Sequence, residues 1–141
     1  MLYVRVPKNG NTAVAAAVPG GETTRLTRPR LEQDYAGWLS FSFVRNPCAR
    51  LVSTFCQKIH AEPFTADNVI DGVHPGLVEM GLPLYAGMTV EDFVEVVCGL
   101  DDGATEKHLK SQTAHLYRDG RCLVTYVGRL ESMAEDWRRV A

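Results

Sequence analysis

The sequence predicts an α/β domain in which a central parallel β-sheet is flanked by helices, and three observations point to it. Leu2–Val6 alternates as a short strand and runs directly into a glycine-containing turn and an alanine-rich stretch. The same succession returns at Trp38–Val44, where an apolar strand meets Arg45, Asn46 and Pro47 and a second helical pattern begins. The polar connection between the two strands has the length of a crossover, which parallel neighbours require and a hairpin does not.

Each element follows from local chemistry. After the Pro7–Asn11 turn, Thr12–Val18 is rich in the best helix former, and Pro19 with Gly20 and Gly21 ends it. Glu22–Tyr35 is the polar crossing to the second strand. Asn46 is a good N-cap and Pro47 a good first helical residue, so a helix starts beyond Arg45. Its apolar stripe is Leu51, Val52, Phe55, Cys56 and Ile59, with Arg50, Ser53, Thr54 and Gln57 on another face. His60–Met88, interrupted by Pro63, Gly72, Pro75, Gly76, Gly81, Pro83 and Gly87, reads as a lid or substrate loop, or as an unspecialised connection. Thr89 and Asp92 form a capping-box pattern before a helix that runs to Gly99. Asp119-Gly120 signals a turn before an apolar strand at Cys122–Val127, and Glu131–Val140 closes the chain as an amphipathic helix.

At 141 residues the chain is read as one domain, large enough to bury roughly 70% of the surface its unfolded form exposes. Fifteen basic against seventeen acidic residues give a net charge of −2, so no general attraction to nucleic acid or anionic lipid is expected and any anion site must be local. No apolar run reaches the ~20 residues that span a bilayer. The N-terminus enters a strand without a signal-peptide pattern, and a cytoplasmic protein is expected. Cys48, Cys56, Cys98 and Cys122 lack the paired spacing of a zinc or redox motif and are read as buried free thiols.

The two strand–turn–helix segments carry the chemistry. Lys8 can set an ammonium against phosphate or sulfate oxygens, while the amides of Gly10, Asn11 and Thr12 face the same anion from a helix start. Gly10 lets the backbone approach closely. Arg45, at the second strand end, and Ser53, further along its helix, offer a second anion subsite. A ligand with two separate anionic groups suits this layout. The spacing Pro-Lys-Asn-Gly-Asn-Thr lacks the four residues between glycines, and the Lys-Thr ending, of a nucleoside-triphosphatase loop. No acidic magnesium ligand follows at a strand end, which counts against metal-assisted phosphoryl transfer.

These residues resemble the carbohydrate-type (Golgi-type, family 2) sulfotransferases and their bacterial relatives, which use 3′-phosphoadenosine 5′-phosphosulfate (PAPS). Pro7, Lys8 and Thr12 match a Pro-Lys-x-x-x-Thr-like loop, and Arg45, Pro47, Arg50 and Ser53 match an Arg-x-Pro-x-x-Arg-x-x-Ser segment. The stretch Glu106–Gln112 is similar to a His-Trp-x-Pro-Gln region, with Leu109 in place of the aromatic and Ser111 in place of proline. Val127–Glu131, followed by Glu135, Asp136 and Trp137, is similar to a late Gly-x-x-Glu strand and helix. The resemblance implies a P-loop-like sheet and a sulfotransferase-like domain over residues 1–141 that ends earlier than is common in the family. It implies that Lys8 and the backbone of Asn9, Gly10, Asn11, Thr12 and Ala13 hold the 5′ end of PAPS. Arg45 and Ser53 would hold the 3′-phosphate, with Arg50 in support.

Sulfuryl transfer needs a base at the acceptor hydroxyl, positive charge on the transferring group and stabilisation of the leaving phosphate. Lys8 can supply the latter two. His108 is the first candidate base, since a neutral imidazole is available near neutral pH. Glu22 follows, then His60 and His74. Glu131 reads as structural, ordering a neighbouring arginine. The leading expectation is a PAPS-dependent sulfotransferase acting on a hydroxyl of a carbohydrate or other small polar acceptor, without a metal. The alternatives are a non-catalytic nucleotide-binding or interaction protein of the same fold and a small nucleotide-dependent phosphotransferase.

Overall fold

The computed structural model describes residues 1–18, 22–24, 34–60, 72–103 and 105–140, with residues 22–24 described by their backbone. The expected helix break at Pro19–Gly21, most of the polar crossing and Pro63 lie outside the described residues. Two compact units are formed, Met1–Asn46 together with Ser111–Ala141, and Pro47–Lys110.

The first unit carries the sheet. Its strands β1 (Leu2–Val4), β2 (Glu22–Thr24), β3 (Ser40–Val44) and β6 (Tyr126–Arg129) stand in the order β2-β1-β3-β6, and all neighbours are parallel. The hairpin β4 (Tyr117–Arg118) and β5 (Arg121–Cys122) forms a separate antiparallel pair. Both faces of the main sheet are covered. Tyr3, Phe41 and Phe43 pack with Val14, Val18 and Val140 on one side, and Leu2, Val4 and Val6 pack with Leu116 and Val124 on the other. The period-2 alternation of β1 thus feeds two cores, as a parallel sheet buried on both faces requires. Among the helices of this unit are α1 (Asn11–Ala16), α5 (Gln112–Leu116) and α6 (Met133–Val140), the last preceded by a 3₁₀ turn at Leu130–Ser132.

Gly128 lies opposite Phe43 in the β3–β6 register. A Cβ there would meet the Phe43 ring at 2.7 Å and the Asp136 Cβ at 3.2 Å, so the absence of a side chain lets the aromatic layer of Phe41, Phe43 and Trp137 close over β6.

The apolar run expected as one strand at Cys122–Val127 is divided between two sheets. Asp119 and Gly120 both take positive φ, which makes a tight hairpin and turns Arg121 and Cys122 back onto β4. Pairing with β3 begins only at Tyr126, after the Thr125 N–H has donated to the Ser40 carbonyl at 2.9 Å. Trp38 and Leu39, expected in β3, precede it and are exposed.

In the second unit, α2 (Pro47–Lys58), α3 (Pro75–Val78) and α4 (Val90–Cys98) enclose a core of Phe55, Ile59, Val73, Leu77, Met88, Phe93 and Leu109. The capping box of α4 is complete: Thr89 Oγ1 accepts from the Asp92 N–H at 3.1 Å, and the Asp92 carboxylate accepts from the Thr89 N–H. On α2 the inward face differs from the expected stripe. Val52 is 48% exposed and Cys56 is exposed, whereas Arg50 and Thr54 are buried. The exchange is possible because both polar side chains find backbone carbonyls inside the unit. Within the expected lid, Val73, Leu77 and Met88 are core residues, so this portion is packed. Residues 61–71 of that segment lie outside the described residues. All four cysteines are free thiols, as expected, yet they are exposed. Cys48 and Cys56 lie on the outer face of α2, and Cys122 is in the exposed hairpin. Among the described residues no helix is long and apolar enough to cross a membrane.

Candidate functional site

The strand order places the site. From β1 the chain moves to β2 on one side, then returns to β3 on the other side of β1. The crevice beyond the carboxyl ends of β1 and β3 is therefore a topological switch point, where open parallel sheets bind ligands. The loop with Lys8 follows β1, and Arg45 follows β3.

The β1 loop has a special backbone. Lys8 and Gly10 both have φ of 70°, on either side of Asn9. For a lysine this left-handed conformation costs about 1–2 kcal/mol. Such alternation turns neighbouring N–H groups toward one side, as in anion-binding nests. Gly10 meets two demands at once, because a Cβ would also come within 3.0 Å of Leu130. Asn11 secures the turn by accepting from the Tyr3 hydroxyl at 2.7 Å and donating to the Val6 carbonyl at 3.0 Å. Buried beneath this contact, the Tyr3 hydroxyl has its pKa driven above the usual phenol range, only slightly offset by Arg5. Thr12 and Ala13 are exposed in the first turn of α1. With six residues α1 is short, so the amides and Lys8 contribute more to an anion site than a helix dipole does.

Asn9 is fully buried and joins the two loops. Its Nδ2 donates to the Phe43 carbonyl and to Gln112 Oε1, each at 2.8 Å. Gln112 in turn pairs with the main chain of Arg45. The Arg45 N–H donates to Oε1 at 2.8 Å, and Nε2 donates to the Arg45 carbonyl at 2.7 Å. The next residue is held from the 3₁₀ turn after β6, where Glu131 Oε1 accepts from the Asn46 N–H at 2.7 Å. That hydrogen bond, with Glu131's own backbone amide and the charges of Arg45 and Arg129, keeps the Glu131 carboxyl below its ordinary pKa. Behind it, Asp136 ties β6 to α6 by accepting from the Arg129 N–H at 2.7 Å, the Tyr126 hydroxyl at 2.8 Å and the Ser132 hydroxyl at 2.8 Å.

The structure thus brings Lys8, Asn9, Gly10, Asn11, Thr12, Ala13 and Arg45 together at one end of the sheet. Ser53 and His108 belong to the helical unit. Ser53 is half-buried on α2, and the hydroxyl of its neighbour Thr54 donates to the Arg50 carbonyl at 3.1 Å and reaches the His108 carbonyl at 3.3 Å. Arg50 is 6% exposed and donates to the Lys110 carbonyl at 2.9 Å and the Lys107 carbonyl at 3.3 Å. Burial lowers its pKa, with Asp102 and Glu106 opposing. Through these bonds α2 clamps the backbone turn that carries His108. Leu109 enters the core of that unit, and Ser111 caps α5 by accepting from the Ala114 N–H at 3.0 Å. Both departures from the family pattern therefore have local structural roles.

The weaker base candidates differ in setting. His60 is exposed and stacks on Phe55. His74 meets the His108 ring edge-to-face at 5.5 Å. The side chain of Glu22 is outside the described residues.

Sequence reasoning gave no role to Gln112 or Glu106. Gln112 entered only as the last position of the His-Trp-x-Pro-Gln likeness and Glu106 lies two residues before His108, and only the fold shows which groups either one meets.

A family model described as the Sulfotransferase family matches residues 20–141, a span that includes Arg45, Ser53 and His108 and begins after the Lys8 loop. No curated protein and no solved structure matches the chain. With the match extending over most of its length, and a parallel α/β sheet carrying cationic loops at its switch point, the chain belongs to the sulfotransferase family.

Proposed function

We propose that this sulfotransferase moves a sulfuryl group from PAPS to a hydroxyl of a carbohydrate or other small polar acceptor. The observation that carries the reading is the pairing of two cation-bearing loops, Lys8 after β1 and Arg45 after β3, at one switch point and joined through Asn9 and Gln112. Two cationic subsites fit a donor with anionic groups at both its 5′ and 3′ positions.

In this reading Lys8 and the amides of Asn9–Ala13 hold the 5′-phosphosulfate, and Arg45 and Ser53 hold the 3′-phosphate. His108 takes the proton of the acceptor hydroxyl as its oxygen bonds to sulfur. Lys8 neutralises the charge that develops on the 5′-phosphate oxygen as the sulfur–oxygen bond breaks. The products are a sulfate ester, 3′,5′-bisphosphoadenosine and a proton on His108. A cytoplasmic location completes the proposal.

Calorimetric titration with 3′,5′-bisphosphoadenosine, followed by competition with ATP, tests the donor assignment. Binding that ATP fails to displace at comparable concentration is expected. Preference for ATP would support a phosphotransferase instead, and tight product binding with no transfer to any polyol or sugar would support a non-catalytic nucleotide binder.

A further inference from the structure

We propose that Glu106 is a positioning residue for His108: it holds the imidazole in the Nδ1–H tautomer and so makes Nε2 the nitrogen that accepts a proton. The inference rests on the reading of His108 as the base.

Both Glu106 carboxylate oxygens lie close to His108 Nδ1, Oε1 at 3.0 Å and Oε2 at 2.9 Å. An ionised carboxylate only accepts hydrogen bonds, so the nitrogen facing it must carry the proton. In a neutral ring the lone pair is then on Nε2. The pair is well enclosed, with the side chains 13% and 11% exposed. The carboxylate is itself held by the His108 N–H, which donates to Oε2 at 2.6 Å. Glu106 also anchors the turn through its carbonyl, which accepts from the N–H groups of Leu109 and Lys110 at 2.9 and 2.8 Å. Thr54 fixes the His108 carbonyl of the same turn, and Arg50 those of Lys107 and Lys110.

The surrounding charges keep the carboxylate ionised. Burial alone would raise the Glu106 pKa, but the side-chain and backbone hydrogen bonds from His108, with the charge of Lys107 and that of His108 when its ring is protonated, outweigh it and leave the carboxyl below its ordinary value. Lys107 Nζ is 3.8 Å from Oε1, and Lys58 and Arg50 also feel the Glu106 charge. On the other side His74 is held toward its neutral form, first by burial and then by Lys58, His108 and Lys107, against Glu106. A neutral ring packed edge-to-face on His108 limits its rotation without adding charge.

The test uses the full chain and ¹⁵N NMR of the histidine side chains at mildly alkaline pH, with turnover and 3′,5′-bisphosphoadenosine affinity measured in parallel. In the wild type His108 is expected as the Nδ1–H tautomer. In Glu106→Gln, whose amide can donate as well as accept, that preference is expected to disappear. Turnover should drop by about tenfold or more, less than the ~10²–10⁴-fold loss expected of His108→Ala, while nucleotide affinity stays near wild type. Glu106→Asp should restore part of both the tautomer and the rate. A wild-type His108 found as the Nε2–H form overturns the proposal whatever the variants do, as does an unchanged tautomer in folded Glu106→Gln. A His108→Ala protein with near-normal turnover would instead overturn the base assignment, leaving the tautomer result to stand by itself.

Discussion

Gln112 and Arg45 exchange two hydrogen bonds, the Arg45 N–H donating to Oε1 at 2.8 Å and Nε2 donating to the Arg45 carbonyl at 2.7 Å. A side-chain amide here does what a neighbouring strand would do for the main chain just past the end of β3. Because Oε1 also accepts from Asn9, the position of the Arg45 backbone is tied to that of the Lys8 loop. Gln112→Ala leaves the buried donor of Asn9 and both main-chain groups of Arg45 without this partner. It should lower stability by about 1–3 kcal/mol and weaken 3′,5′-bisphosphoadenosine, as read by urea unfolding and calorimetry. Gln112→Glu should be worse than a loss of one bond, since it sets an oxygen against the Arg45 carbonyl. Unchanged nucleotide affinity in a folded Gln112→Ala protein would show that the two loops are positioned independently.

Lys8 separates backbone cost from side-chain function. With φ at 70°, it occupies a conformation that glycine adopts without strain. Lys8→Gly is therefore expected to fold at least as stably as the wild type, gaining up to ~1–2 kcal/mol from relief of strain. It should nonetheless lose turnover to the extent of a missing transition-state contact, ~2.7–4 kcal/mol by analogy with removed oxyanion donors. Thermal melts and a transfer assay decide this together: a stable Lys8→Gly protein with normal turnover would sink the assignment of Lys8 to the transferring group.

Arg45 and Ser53 are both assigned to the 3′-phosphate. Arg45→Ala and Ser53→Ala should weaken 3′,5′-bisphosphoadenosine much more than adenosine 5′-phosphate, and the arginine should matter more because it carries charge. Equal losses for the two ligands would assign these residues to scaffolding or to a different subsite.

How far the sequence reached depended on whether the deciding partner was local. The capping box of Thr89 and Asp92 and the turn at Asp119-Gly120 are written in a few adjacent residues, and both formed as expected. The parallel sheet and the placement of Lys8 and Arg45 after neighbouring strands were legible from strand–turn–helix repetition. Gln112 was not, because its partners Asn9 and Arg45 are distant in the chain and only the fold brings them to it. The inward turn of Arg50 and Thr54 escaped periodicity for the same reason. Their burial depends on carbonyls of Lys107, His108 and Lys110, which an apolar-stripe argument on α2 does not see. The divided run at Cys122–Val127 shows the complementary case, in which a local hairpin overrode an apolar pattern that otherwise favoured one continuous strand.

Acid stability provides a test of the frame around β6. Asp136 is 7% exposed and accepts three hydrogen bonds, the Arg129 N–H foremost, followed by the hydroxyls of Tyr126 and Ser132; together they lower its pKa to about 2. The unfolded chain would show the ordinary value of ~3.9. A carboxyl whose folded pKa is depressed binds protons less readily in the native state, so its stabilisation is fully present above the unfolded value and is lost as pH falls toward the folded one. Melting temperature should therefore decline between about pH 4 and pH 2, with Glu131 and Glu106, also held low, adding in the same direction. In Asp136→Asn the amide keeps one neutral oxygen acceptor and loses the carboxylate's charge and its second acceptor oxygen. That variant should melt lower than the wild type at pH 7 and show a shallower further decline between pH 4 and pH 2. Parallel melting curves of the two proteins across that interval would refute the assigned role, because a group that titrates only in the wild type must make their separation shrink as the acid limit is approached.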